Sequence, residues 1–205
     1  SITAIDISNE ALKIAQLNAQ KHNASISFIQ NDFLDKTTWG TLPKVDIIVS
    51  NPPYIPINEK EKLDATVTQF EPHTALFVPS KQPLLFYEKI AAFAKKHLNY
   101  NGKVYVETHK DYTNQVAAVF QQHCSHTHIV KDISGNERMV IAFYYLPSTL
   151  SDADDAPAFF ASLIIITNLL IDTELSAFIT TACLLLLSNL SIILLSSDER
   201  ESKFT

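Results

Sequence analysis

Val45-Asp46-Ile47-Ile48-Val49-Ser50-Asn51-Pro52-Pro53-Tyr54 runs a buried-type strand straight into a rigid turn. After Asp46 the run is apolar and β-branched up to Ser50, the composition of a strand covered on both faces. The two prolines remove two backbone donors and force the chain to leave extended. Strands of this kind belong to parallel sheets wound with helices, where ligands sit beyond the carboxyl ends of the strands.

The flanking sequence fits that plan. Upstream, Ser1–Ile7 reads as a strand. Ser8 is an N-cap, and Ala11, Leu12, Ile14, Ala15 and Ala19 form a helical face. Ile26–Ile29 is a second strand closing on Asn31-Asp32. Downstream, the pattern predicts a helix over Pro83–Leu98, a stop over Asn99–Gly102 and a strand over Lys103–Glu107. A helix over Asp111–His123 follows, then a hairpin of Thr127–Ile133 and Arg138–Tyr145 around Gly135. The expected fold is α/β, a mostly parallel sheet with one antiparallel strand at an edge. Asp6, Asp32, Asn51 and Glu107 are the polar residues at its strand ends.

Composition narrows the classes. The 205 residues are 46% hydrophobic and 19% charged, which excludes a disordered chain. Three glycines, at 40, 102 and 135, leave no room for a P-loop or a G-x-G-x-x-G loop in this sequence. Two cysteines, Cys124 and Cys183, exclude a disulfide framework and a four-cysteine zinc site. His123, Cys124, His126 and His128 crowd together but lack a second ligand pair at a usual spacing, so no metal is assigned. Residues 1–146 hold a single arginine, Arg138, which argues against tight nucleic-acid binding.

The net charge of −6 is carried entirely by residues 147–205. That shift places a boundary at Leu146–Pro147, with 147–157 as a polar linker and 158–205 as an apolar tail. Leu175–Leu195 is uncharged for 21 residues, long enough to span a bilayer. Two readings stand: a membrane anchor, or a shifted reading frame after the last hairpin. The lack of a basic flank and of an aromatic belt favours the second.

The turn at residue 51 suggests a chemistry. The Asn51 side chain and the Pro52 carbonyl can both accept from one planar –NH₂ group, while Tyr54 offers an aromatic face. An amide nitrogen is a poor nucleophile, and a site that holds both its N–H bonds supplies orientation and desolvation.

These residues, with Phe70-Glu71-Pro72-His73, Ala75-Leu76-Phe77, Phe86-Tyr87 and Asp132-Ile133-Ser134-Gly135-Asn136-Glu137-Arg138, resemble the HemK/PrmC family. Asp6-Ile7-Ser8-Asn9-Glu10-Ala11-Leu12 extends the resemblance, which covers Ser1 to about Tyr145. It implies a Rossmann-like class I S-adenosylmethionine-dependent methyltransferase. The implied substrate is a glutamine side-chain amide in a peptide chain release factor, methylated in the cytoplasm. It implies Asn51, Pro52, Pro53 and Tyr54 as the catalytic amide clamp. It further implies Asp6, Asp32, Phe33 and Asn51 as cofactor-binding: Asp6 on the ribose, Asp32 and Phe33 beside adenine. Transfer is direct, with no metal and no covalent intermediate. Nucleic acid is not the expected partner, and membrane contact would come from the tail alone. The alternatives are a nucleic-acid amino-methyltransferase acting on adenine or guanine, or an inactive truncated fragment. Thr108-His109 departs from the family's Ile-Gly. The family's first strand and Gly-rich loop are expected to be absent, leaving unpaired edges between the Asp6 and Asn51 strands. The chain as given is then expected to bind S-adenosylmethionine negligibly and to be inactive by itself.

Overall fold

A computed structural model describes residues 1–62, 72–144 and 192–195. Strand β1 (Ile2–Asp6) leads into helix α1 (Asn9–Lys21), which is followed by β2 (Ser27–Gln30) and β3 (Val45–Ser50). Beyond the proline turn come β4 (Ile55–Pro56), the one-turn helix α2 (His73–Leu76) and β5 (Phe77–Val78). Helix α3 (Leu85–His97), β6 (Leu98–Glu107), α4 (Thr113–Gln121), β7 (His126–Lys131) and β8 (Glu137–Phe143) complete the main run. A last strand, β9 (Ile192–Leu195), lies in the tail.

The main sheet has the order β2-β1-β9-β3-β6-β8-β7, and β4 and β5 pair separately. Residues alternate between its two faces as strand geometry requires. Ile5, Ile48, Val104 and Val106 face the side where Ile90 and Phe93 of α3 and Val116 and Phe120 of α4 pack. Ala4, Val49 and Tyr105 face the opposite side, against Leu12 and Ala15 of α1. The result is a three-layer, Rossmann-like α/β fold, as expected.

Local chemistry explains the boundaries. Ser8 Oγ accepts from the Ala11 amide at 3.1 Å and starts α1. Ile14 is an exception to the expected apolar face: it is 55% exposed, because only Leu12, Ala15 and Ala19 point inward. The stop expected at Asn99–Gly102 is instead the start of β6, which follows α3 directly. Asn101 takes φ 66° there, and β3 and β6 shift register between Val45 and Ile47. The signal was a bulge within the strand.

Two further expectations change. β8 runs antiparallel to β6, but β7 turns back beside it, so the antiparallel strand lies second from the edge. The position between β1 and β3 is also filled. β9 pairs antiparallel with both, Ile5 opposite Ile192 and Val49 opposite Ile193. The two edges expected there are therefore paired in this structure, by four residues of the stretch read as apolar tail. Ile192 is buried in the main core. The rest of the 147–205 segment, and Phe70 and Glu71, lie outside the described residues. Among the described residues no helix is long and apolar enough to cross a membrane.

Candidate active site

The carboxyl ends of β1 and β2 open onto a cavity of about 290 Å³. Its walls bring together Asp6 from the end of β1, Asp32 and Phe33 from the loop after β2, and Phe77 and Phe86 from the segments that follow β3. Asp6 is buried, and its Oδ1 accepts the Ser8 amide at 2.7 Å, so the same acid that closes β1 also shapes the entry to α1. The Asn31 amide donates to the Asp6 carbonyl at 2.9 Å, joining the two strand ends. Asp32 Oδ1 accepts from the Leu34 amide at 3.0 Å. Phe33 is held from behind: its ring meets Trp39 and Phe93 with centroids 5.5 and 5.1 Å away, and its carbonyl accepts the Trp39 indole N–H at 2.9 Å. Lys89 Nζ donates to the Leu34 carbonyl at 2.6 Å and fixes the next wall residue from α3. The cavity is thus apolar, with carboxylates on the ends of two strands.

The Asn51-Pro52-Pro53-Tyr54 turn leaves β3 and does not line this cavity. Asn51 is exposed, Pro52 and Pro53 are buried, and Tyr54 is half-buried. A short ladder ties the turn to the cavity: Ile55, the residue after Tyr54, pairs with the cavity residue Phe77. The Asn58 amide reinforces it by donating to Ser80 Oγ at 3.2 Å. Of the expected site residues, then, Asp6, Asp32 and Phe33 share one cavity, and the four clamp residues form a second group beside it.

That second group has charged company. Tyr54 Oη donates to Glu107 Oε1 at 3.2 Å, and Arg138 Nη2 approaches the same oxygen at 3.4 Å. Burial, followed by the nearby Glu107 carboxylate, pushes the Tyr54 hydroxyl up to about 12. Burial also raises the Glu107 carboxyl, against the opposing pull of Arg138. Arg138 was legible only as part of a resemblance, since its contact with Tyr54 and Glu107 crosses three strands. Leu34, Thr74, Pro79 and Leu85 are cavity residues that no sequence signal marked. Among the described residues no three His, Cys, Asp or Glu side chains are placed to hold a metal ion. Cys124 Sγ donates to the His126 carbonyl at 3.2 Å.

A family model described as the methyltransferase small domain matches residues 1–73. The release factor glutamine methyltransferase of Lactococcus lactis is 44% identical over 142 residues, which are 68% of this chain and 51% of that protein. That of Flavobacterium psychrophilum is 39% identical over 141 residues, again 68% of this chain and 49% of that protein. The chain is a homologue of release factor glutamine methyltransferases. It spans about half the length of the curated relatives it matches. A solved methyltransferase from Pyrococcus furiosus covers 70% of the chain and is itself covered to 62%, with 17% identity and a TM-score of 0.49. The family model's match over residues 1–73 takes in Asp6, Asp32, Phe33 and the Asn51–Tyr54 turn.

Proposed function

We propose that this chain carries residues for transfer of a methyl group from S-adenosylmethionine to the side-chain amide nitrogen of a glutamine in a peptide chain release factor. The observation that carries the reading is the Asn51-Pro52-Pro53-Tyr54 turn at the end of a buried strand, coupled through Ile55 and Phe77 to a cavity lined in part by the Asp6 and Asp32 carboxylates. The named relatives supply the substrate class.

The cavity suits the nucleoside part of the cofactor. Phe33, Leu34 and Phe86 present apolar surface to a flat base, and Asp6 and Asp32 offer carboxylate oxygens to hydroxyl and amino groups. When bound, the cofactor's sulfonium supplies an electrophilic methyl group. The chain's own contribution is orientation: the Asn51 side-chain oxygen and the Pro52 carbonyl accept the two amide N–H bonds, and Tyr54 walls the plane of the amide. The proposal implies a cytoplasmic protein whose partner is the release factor.

The test is methyl transfer from tritiated S-adenosylmethionine to a release factor, with DNA and RNA in parallel. It uses the chain itself and residues 1–144 grafted in place of the matching half of the Lactococcus lactis relative. The graft is expected to label a release-factor glutamine. A folded graft that labels adenine or guanine, or labels nothing, overturns the reading. The chain on its own carries no Gly-rich loop, so calorimetry should detect no micromolar cofactor binding.

A further inference from the structure

We infer that Glu107 is a positioning residue for Tyr54, braced by Arg138, and that this triangle sets the aromatic wall of the amide clamp; the inference rests on the methyl-transfer reading. Tyr54 follows two prolines, neither of which can donate a backbone hydrogen bond to fix the turn. Its ring is oriented by side-chain partners. The hydroxyl donates to Glu107 Oε1 at 3.2 Å, and the Arg138 guanidinium lies 5.9 Å from the ring centroid. Arg138 also reaches Glu107 Oε1, at 3.4 Å, so one carboxylate oxygen collects both donors. Each corner stands on a different part of the sheet: Tyr54 after β3, Glu107 at the end of β6, Arg138 on β8. α3 adds a fourth support, because Tyr87 Oη donates to the Glu107 backbone carbonyl at 2.9 Å.

The charges around Glu107 come from several elements. Arg138 opposes it from β8, Asp132 adds a like charge from the β7–β8 turn, and the Tyr54 hydroxyl donates to it from the turn after β3. The His109 ring lies beside Tyr54, tilted 58° to it with centroids 6.0 Å apart. The Tyr54 hydroxyl keeps its proton throughout the neutral range, so it remains a donor to the carboxylate. A ring displaced by about 1 Å from a reacting plane can cost on the order of a hundredfold in rate. A residue that holds the ring without touching substrate therefore acts through kcat.

The full chain labelled with 3-fluorotyrosine gives a direct readout, with Tyr54→Phe identifying the Tyr54 resonance. The Tyr54 titration midpoint should fall in Glu107→Gln and rise in Arg138→Gln, opposite shifts that general loosening does not produce. Unchanged midpoints, or shifts of the same sign, overturn the inference. In the turnover assay of the graft, Glu107→Ala should lower kcat about tenfold with KM for S-adenosylmethionine unchanged. Glu107→Gln, which keeps an acceptor for the hydroxyl, should recover most of it. Unchanged kcat, or a rise in KM alone, counts against the positioning role. Should Glu107→Ala not fold, Tyr54→Phe takes its place and is expected to show the same loss. A parent graft with no turnover would defeat the methyl-transfer reading, while the fluorine titration would still decide whether Glu107 and Arg138 hold Tyr54.

Discussion

Asn51 is exposed although it directly follows the buried strand end Ile48–Ser50, and its neighbours Pro52 and Pro53 are buried. The backbone of the turn is therefore fixed without help from the Asn51 side chain. Asn51→Ala should change unfolding free energy by no more than about 0.5 kcal/mol. In the graft the same substitution should reduce kcat by about a hundredfold or more, because the lost contact orients the reacting nitrogen. Denaturant melts and single-turnover rates check the two halves of that statement. Glu107 gives a pH-dependent counterpart. Burial raises its folded carboxyl above the ordinary value, so the stability linked to its protonated form is present at low pH and lost as pH rises through that folded value. Glu107→Gln does not titrate, so its stability relative to the parent should improve between pH 4 and pH 7, measured by urea unfolding at each. The proline turn was legible because proline restricts a backbone in a way that sequence alone reveals. The Glu107–Arg138 contact was not, because 31 residues separate the partners and only sheet order brings them together.

Among the elements, β6 shows where sequence reading reaches its limit. Asn99 to Gly102 carries the polar and glycine content of a stop, yet it continues the strand through a bulge. Gly102 is there for space. A Cβ at that position would stand 2.7 Å from Leu98 Cδ2, 3.0 Å from the Asn99 carbonyl oxygen and 3.1 Å from the Asp46 carbonyl oxygen. The two carbonyls are backbone and cannot swing away. Gly102→Ala should therefore destabilise the fold by about 1–3 kcal/mol, as overpacking does, and thermal melting will show it. By contrast α1 was readable in advance. Its cap, its first-turn acid Glu10 and its buried Leu12, Ala15 and Ala19 all obey local rules that need no tertiary information.

At the scale of the whole molecule the decisive element is β9. Composition sets residues 158–205 apart, and with an upstream half restored, deletion of 148–205 is expected to leave methyl transfer intact and to improve solubility. In the chain as given, that deletion removes a strand hydrogen-bonded on both sides and takes Ile192 out of the core. It would expose the facing edges of β1 and β3, both apolar and nearly flush. A chain ending at residue 147 should therefore be less soluble and less stable than the full chain, measured by soluble yield and by melting temperature. Equal or better values would return the boundary to where composition put it. Such a strand is invisible to local reading because Ile192–Leu195 shows no alternation and its pairing partners, β1 and β3, lie far away in sequence.

The pairing of Ile2 with Leu195 joins the first to the last strand among the described residues. Closing so long a loop costs only about 0.6 kcal/mol more for each doubling of its length, so distance does little to weaken the finished sheet. It does set the order of events. β1 with β2, and β3 with β6, β8 and β7, can each form from nearer partners, while β9 has nothing to dock on until both halves exist. The two halves of the sheet should then acquire amide-exchange protection before β9 in pulse-labelled refolding. During synthesis β1 and β3 leave the ribosome well before β9, so over the whole stretch from Ser50 to Ile192 the nascent chain carries the central seam of its sheet unsewn.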